Sequence, residues 1–246
     1  MIIHLLISFL ALQLWMLFIW TIFTFNKNAV IADVAWGLGI MGAALFHLGA
    51  HPSYLLLSAV IIWAMRLSGF IFWTRLKPNL QDARYEQLKQ RSPHSSNLHF
   101  LINCQFQGCL QWVIATPFLF SPANTILTGM GMTIFLMGLF IESMADYQLL
   151  AFKKNHQHQV CNVGLWQYSR HPNYFGELLI WFGFAVCFSS NPMAFLSPVT
   201  LYLIMTRITG PLTEEMSSRS KGKTYQDYQQ KTPMIFPNLK KIFFSF

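Results

Sequence analysis

A chain of 246 residues that is 54% hydrophobic and only 11% charged lacks the polar surface of an ordinary soluble domain, which leaves an integral membrane protein. Its net charge of +8 follows from basic loops between apolar runs, so it says less about nucleic acid than the same charge would on a soluble domain. Of four cysteines only Cys161 lies outside an apolar run, and no disulfide framework follows.

Apolar runs at residues 2–25, 29–49, 52–73, 98–120, 124–150, 172–189 and 193–211 predict an all-α bundle of about seven transmembrane helices. The first run has neither a basic leader nor a small-residue cleavage site before Asn26, so it reads as a retained helix and not a signal peptide. In the second, Gly37, Gly39 and Gly42 match the spacing of a dinucleotide fingerprint, but without a preceding strand they read as small residues that let helices approach. Asn103, Gln107 and Gln111 draw a polar stripe along the fourth run, suited to the bundle interior.

Lysine and arginine follow alternate runs. Lys27 comes after the first; Arg75, Lys77, Arg84, Lys89 and Arg91 after the third; Lys153, Lys154 and Arg170 after the fifth; Arg219, Lys221, Lys223, Lys231, Lys240 and Lys241 after the seventh. The connections around His51, Pro122 and Asn191 carry none, so the positive-inside rule places the N-terminus outside and loops 74–97 and 151–171 and tail 216–246 in the cytoplasm. One integral-membrane domain spanning 1–246 is expected, without internal repeats, in the inner membrane if the source is bacterial and with its active site facing the cytoplasm.

Charges within apolar runs are functional hypotheses by default. Asp33, Arg66, Glu142, Asp146, Glu177, Arg207, Glu214 and Glu215 all fall in the half of the bundle assigned to the cytoplasm, outlining a polar cavity beneath an apolar outer half. Glu142 and Asp146, four residues apart, repel each other unless cations or donors are near; Arg66, Arg170 and Lys153 are the candidate partners. Residues 164–177 are the most informative stretch. Pro172 predicts a helix start with Arg170 and His171 beside its unpaired N–H groups, an anion site, and Asn173 and Glu177 share the next face with Tyr174 alongside. Tyr85 in the loop and Tyr225, Tyr228 and Phe236 in the tail fit a lid. His156, His158 and Cys161 match no standard zinc spacing, so no metal is expected.

The segments Asp33–Gly39, Trp63–Leu67, Asp82–Tyr85, Glu142–Leu149, Gly164–Glu177, Thr209–Glu215, Tyr225–Tyr228 and Phe236-Pro237, in that order, resemble the DUF1295 branch of the membrane-embedded steroid 5-alpha-reductase family. That family is kin to sterol reductases and, more distantly, to isoprenylcysteine carboxyl methyltransferases. The resemblance implies an NADPH-dependent oxidoreductase acting on CH–CH groups, with its cofactor entering from the cytoplasm and a lipid-like enone or sterol-like substrate from the bilayer. It implies cofactor binding by Glu142, Asp146, Lys153, Arg170, Asn173, Glu177 and Tyr228, to which Arg84, Trp166, His171 and Tyr225 are added here. Trp63 stands where the animal reductases have a ketone-polarising tyrosine, which argues against a classical steroid substrate.

Hydride transfer to a conjugated carbon needs a group to polarise or protonate the acceptor; Tyr174, Asp33 and Arg66 are the candidates, with Tyr147 behind them. An S-adenosylmethionine-dependent methyltransferase acting on a prenylated or phospholipid substrate is the alternative, and a lipid transporter the third class. Beyond membrane lipids and that substrate, no partner is indicated, and nucleic acid is not expected.

Overall fold

The computed structural model describes residues 2–49, 53–80, 96–156 and 159–238. Arg84, Tyr85 and His158, named above, lie outside these. Among the described residues every regular element is a helix. The chain divides into two compact units, Met1–Ser121 and Pro122–Phe246.

The first unit contains α1 (Ile2–Asn26), α2 (Val30–Leu48), α3 (Tyr54–Ile71) and α4 (Ser96–Ile114). α1 packs on α4 and α2 on α3. Met16, Ile19, Phe23, Ala29, Ala32, Ala35, Phe100 and Cys104 form a buried cluster. Amides stitch the same helices together. Gln111 Nε2 donates to Met16 Sδ at 3.2 Å, Gln105 Nε2 to the Gln13 carbonyl at 3.4 Å and Trp15 Nε1 to the Ala35 carbonyl at 3.1 Å. In a bilayer, where apolar burial gives little drive between helices, such bonds and close contacts are what hold them. The α2 glycines serve that purpose: a methyl on Gly37 would meet Ser68 Oγ at 2.7 Å, and one on Gly39 would meet Gln111 Oε1 at 2.1 Å. Gly42 faces open space. α3 runs on through a π-helical turn at Phe72–Leu76, where Lys77 Nζ lies 4.0 Å above the exposed Trp73 ring. That pairing suits a membrane–water boundary.

The second unit contains α5 (Thr125–Asn155), α6 (Pro172–Cys187), α7 (Leu196–Ile204), α8 (Gly210–Lys221) and α9 (Lys223–Lys231). The Asn124 side chain caps α5, accepting from the Leu127 N–H at 2.9 Å, and Lys153 and Lys154 occupy its last turn, where cations oppose the negative dipole end. α5 and α6 meet along a seam of glycines spaced seven apart in each. A methyl on Gly131 would come within 2.5 Å of the Gly183 carbonyl oxygen, and one on Gly138 within 2.6 Å of that of Gly176; the converse distances are 2.6 and 2.8 Å. Backbone lies directly on backbone there. Between α7 and α8 a π-helical turn at Met205–Thr209 precedes Pro211, which lacks the N–H that a regular helix would use.

Among the described residues, five helical segments are long and apolar enough to cross a membrane: Ile2–Asn26, Val30–Leu48, Tyr54–Leu76, Thr125–Asn155 and Pro192–Lys221. Two of the seven anticipated spans do not meet that measure. α4 carries Asn103, Gln105, Gln107 and Gln111, which lower its hydropathy. α6 has 16 residues, about 24 Å at 1.5 Å per residue, short of a ~30 Å hydrocarbon core.

Candidate functional site

The stretch before α6 is organised by Arg170, and all three nitrogens of its guanidinium are engaged by the protein. Nε and Nη2 donate to the two oxygens of Glu214 at 2.7 and 3.1 Å, and Nη1 donates to the carbonyls of Gln229 and Thr232 at 2.9 and 2.6 Å. A planar five-donor fork suits this pattern, which lysine could not reproduce. Glu214 also accepts from Gln229 Nε2 at 2.8 Å, and His171 Nε2 lies 3.1 Å from its Oε1.

The tail adds backbone bonds to the same clasp. The N–H groups of Arg170 and His171 donate to the carbonyls of Pro233 and Met234, both at 2.9 Å, and Ser169 Oγ donates to that of Ile235 at 2.7 Å. The Tyr228 hydroxyl donates to the Trp166 carbonyl. Burial, reinforced by Tyr225, pushes the Tyr228 phenol above its ordinary range, and burial pushes Tyr225 up to about 12, so both stay protonated at physiological pH. The tail part of the anticipated lid forms a strap from α8, α9 and residues 232–238 bonded to the residues that precede α6.

Below the clasp, buried acids line the extension of the glycine seam. Glu142 follows Gly138 by one turn of α5 and Asp146 by two; Glu177 is on α6, and all three side chains are buried. Asn173 Nδ2 donates to Asp146 Oδ1 at 3.3 Å, joining the two helices. Asn173 Oδ1 is enclosed without a hydrogen-bond partner. Trp181, fully buried, donates its indole N–H to Glu177 Oε1 at 3.0 Å. Carboxylates and a carboxamide in this setting accept from ligand N–H and O–H groups and favour cations.

The remaining residues named from the sequence divide between units. Tyr174 stacks on His171, ring centroids 4.7 Å apart and planes at 11°. Trp166 is buried and donates its indole N–H to the Ala145 carbonyl at 2.9 Å, fixing the short 3₁₀ turn Gly164–Gln167 to α5. Lys153 and Lys154 are exposed, and so is Tyr147. Asp33 and Arg66 belong to the first unit: Asp33 Oδ2 lies 4.0 Å from Arg75 Nη1, and Arg66 lies over the Phe70 ring at 5.6 Å. Cys161 is buried beside Ala145 and Trp166, its thiol pushed up by that burial. Among the described residues, no three His, Cys, Asp or Glu side chains are grouped to hold a metal ion.

Sequence reasoning gave Arg170 to a ligand anion or to Glu142 and Asp146, and overlooked Glu214 and Gln229 as its partners. It also overlooked Trp181 and the seam. The seam had a signal, the seven-residue spacing of Gly131 and Gly138 and of Gly176 and Gly183. The clasp had none, since Glu214 is 44 residues from Arg170.

A 58-residue stretch, 23% of this chain, is 38% identical to the steroid 5-alpha-reductase DET2 of Gossypium hirsutum and spans 22% of that protein's length. No solved structure matches. The family model described as "Protein of unknown function (DUF1295)" matches residues 19–232, which is most of both units, and the chain therefore belongs to the DUF1295 family.

Proposed function

We propose that the protein is a membrane-embedded reductase that transfers hydride from NADPH to a conjugated double bond of a lipid-like substrate. The observation that carries this reading is the buried set Glu142, Asp146 and Glu177, with half-buried Asn173 beside them, on two helices in backbone contact, combined with the 58-residue likeness to a steroid 5-alpha-reductase. The residues fit such a cofactor. Asn173 Oδ1, enclosed and unpartnered, is an acceptor for a carboxamide N–H, and the carboxylates are acceptors for ribose hydroxyls. Lys153 and Lys154, exposed at the end of the helix that carries Glu142 and Asp146, are counter-charges for phosphates. When bound, NADPH supplies the hydride.

The chain's own residues bind, orient and donate. The glycine seam holds Asn173 against Asp146, and rigid placement of that kind lowers the entropic cost of bringing reactants together. Tyr174, stacked on His171, is the proton donor in this reading, since its phenol can deliver a proton to the carbanionic carbon or polarise the conjugated carbonyl. Seven spans with the N-terminus outside complete the proposal, with α4 and α6 crossing in the shelter of longer helices. The site then faces the cytoplasm.

Three buried acids also suit a sulfonium cation, which keeps S-adenosylmethionine-dependent methyl transfer as the second reading. Label transfer separates the two. Purified full-length protein in lipid nanodiscs is given NADPH deuterated at the transferring C4 position and a panel of enone lipids; deuterium on a substrate carbon is the expected result. A labelled methyl group carried from S-adenosylmethionine to a lipid, with no deuterium incorporated, would replace the reductase by the methyltransferase.

A further inference from the structure

The indole of Trp181 is the least expected polar group near the candidate site. It lies within α6, fully buried, with Phe184 at 5.5 Å between ring centroids, where a phenylalanine would satisfy the packing. Its N–H instead meets Glu177 Oε1 at 3.0 Å, one turn back on the same helix. A glutamate has three rotatable bonds and lets its carboxylate sample several positions. A charge-assisted bond from a rigid ring of two torsions removes that freedom at little entropic cost. The neighbouring geometry makes placement matter. Gly176, beside Glu177, lies in the seam with α5, and a methyl there would fall 2.6 Å from the Glu142 N–H nitrogen.

We propose that Trp181 is a positioning residue: its indole N–H fixes the Glu177 carboxylate in the orientation that receives the cofactor. The inference rests on the reductase reading, with Glu177 as the group that touches the ligand and Trp181 acting only through it. Nothing in the indole itself need reach the cofactor.

The test is a double-mutant cycle on NADPH affinity, measured by calorimetry on the full-length protein in nanodiscs. Trp181→Phe weakens binding about tenfold, and Glu177→Leu weakens it further. In the Glu177→Leu background the Trp181→Phe change has no additional effect, because its only route of action is gone. A core-packing role for Trp181 would give the same loss in both backgrounds, and that result overturns the inference. Should Trp181→Phe fold poorly, benzothienylalanine at position 181 keeps the ring and removes only the N–H; it reproduces the tenfold loss, and full affinity overturns the inference. Failure of the underlying reading looks different: the unaltered protein, folded and monodisperse, binds no NADPH, and both proposals fall together.

Discussion

The two units differ in the contacts that bring their helices closest, and the contrast separates packing from chemistry. In the first, polar side chains do the joining: Gln111 to Met16, Gln105 to the Gln13 backbone, Ser68 to the Val34 carbonyl at 2.8 Å. In the second, bare glycine backbones join α5 to α6, and the polar side chains are left to gather at one end of the seam. Amides that serve as interhelical bonds are already used. Charged side chains buried within apolar helices are functional candidates by default.

Breaking the clasp of the second unit should have the largest effect. Glu214→Ala strands a largely buried guanidinium and should cost about 3–5 kcal/mol, seen as a fall in unfolding temperature; Glu214→Gln, which keeps some acceptors, should cost less. A chain in which Glu214→Ala unfolds at the normal temperature but loses cofactor affinity would return Arg170 to the ligand.

The glycines give the sharpest comparison. Gly138→Ala meets unyielding backbone and should cost about 3 kcal/mol, whereas Gly39→Ala meets the far end of the Gln111 side chain, which can swing away, and should cost about 1 kcal/mol. Equal losses would mean that the two units pack alike. A smaller effect is expected from Tyr228→Phe, which removes the donor to the Trp166 carbonyl and should cost about 1 kcal/mol without altering ligand preference. Gln111→Leu should change stability least, by under about 1 kcal/mol, because its sulfur-directed bond is weak and its enclosed oxygen has no partner. A loss of several kcal/mol there would show that amide stitching is the main support of the first unit.

Much of the architecture was legible because a bilayer demands long apolar helices, and length is read directly from sequence. The starts of α5 and α6 were readable too, from Asn124 as a cap and Pro172 at the first helical position. What escaped was the use of each charge. Arg170 beside a helix N-terminus reads as an anion site from local sequence, and only the fold brings in Glu214, Gln229 and the strap of residues 232–238 to claim every arm of its guanidinium. Trp181 escaped for the converse reason, since a tryptophan in an apolar run looks like packing until its N–H is seen against Glu177. Five of the seven anticipated spans are matched by helices long and apolar enough to cross; α4, with its glutamines, and α6, with its 16 residues, are not.

The central claim, that Asn173 and the acids around it receive NADPH, is tested most directly by calorimetric titration of the purified protein with NADPH and with S-adenosylmethionine, in parallel with Asn173→Ala. The account predicts that NADPH binds and that Asn173→Ala weakens it at least tenfold, about 1.4 kcal/mol, at a nearly unchanged unfolding temperature, because the lost side chain makes one long bond to Asp146 and leaves an acceptor for the ligand. Binding of S-adenosylmethionine in place of NADPH, or NADPH affinity indifferent to Asn173, would contradict it.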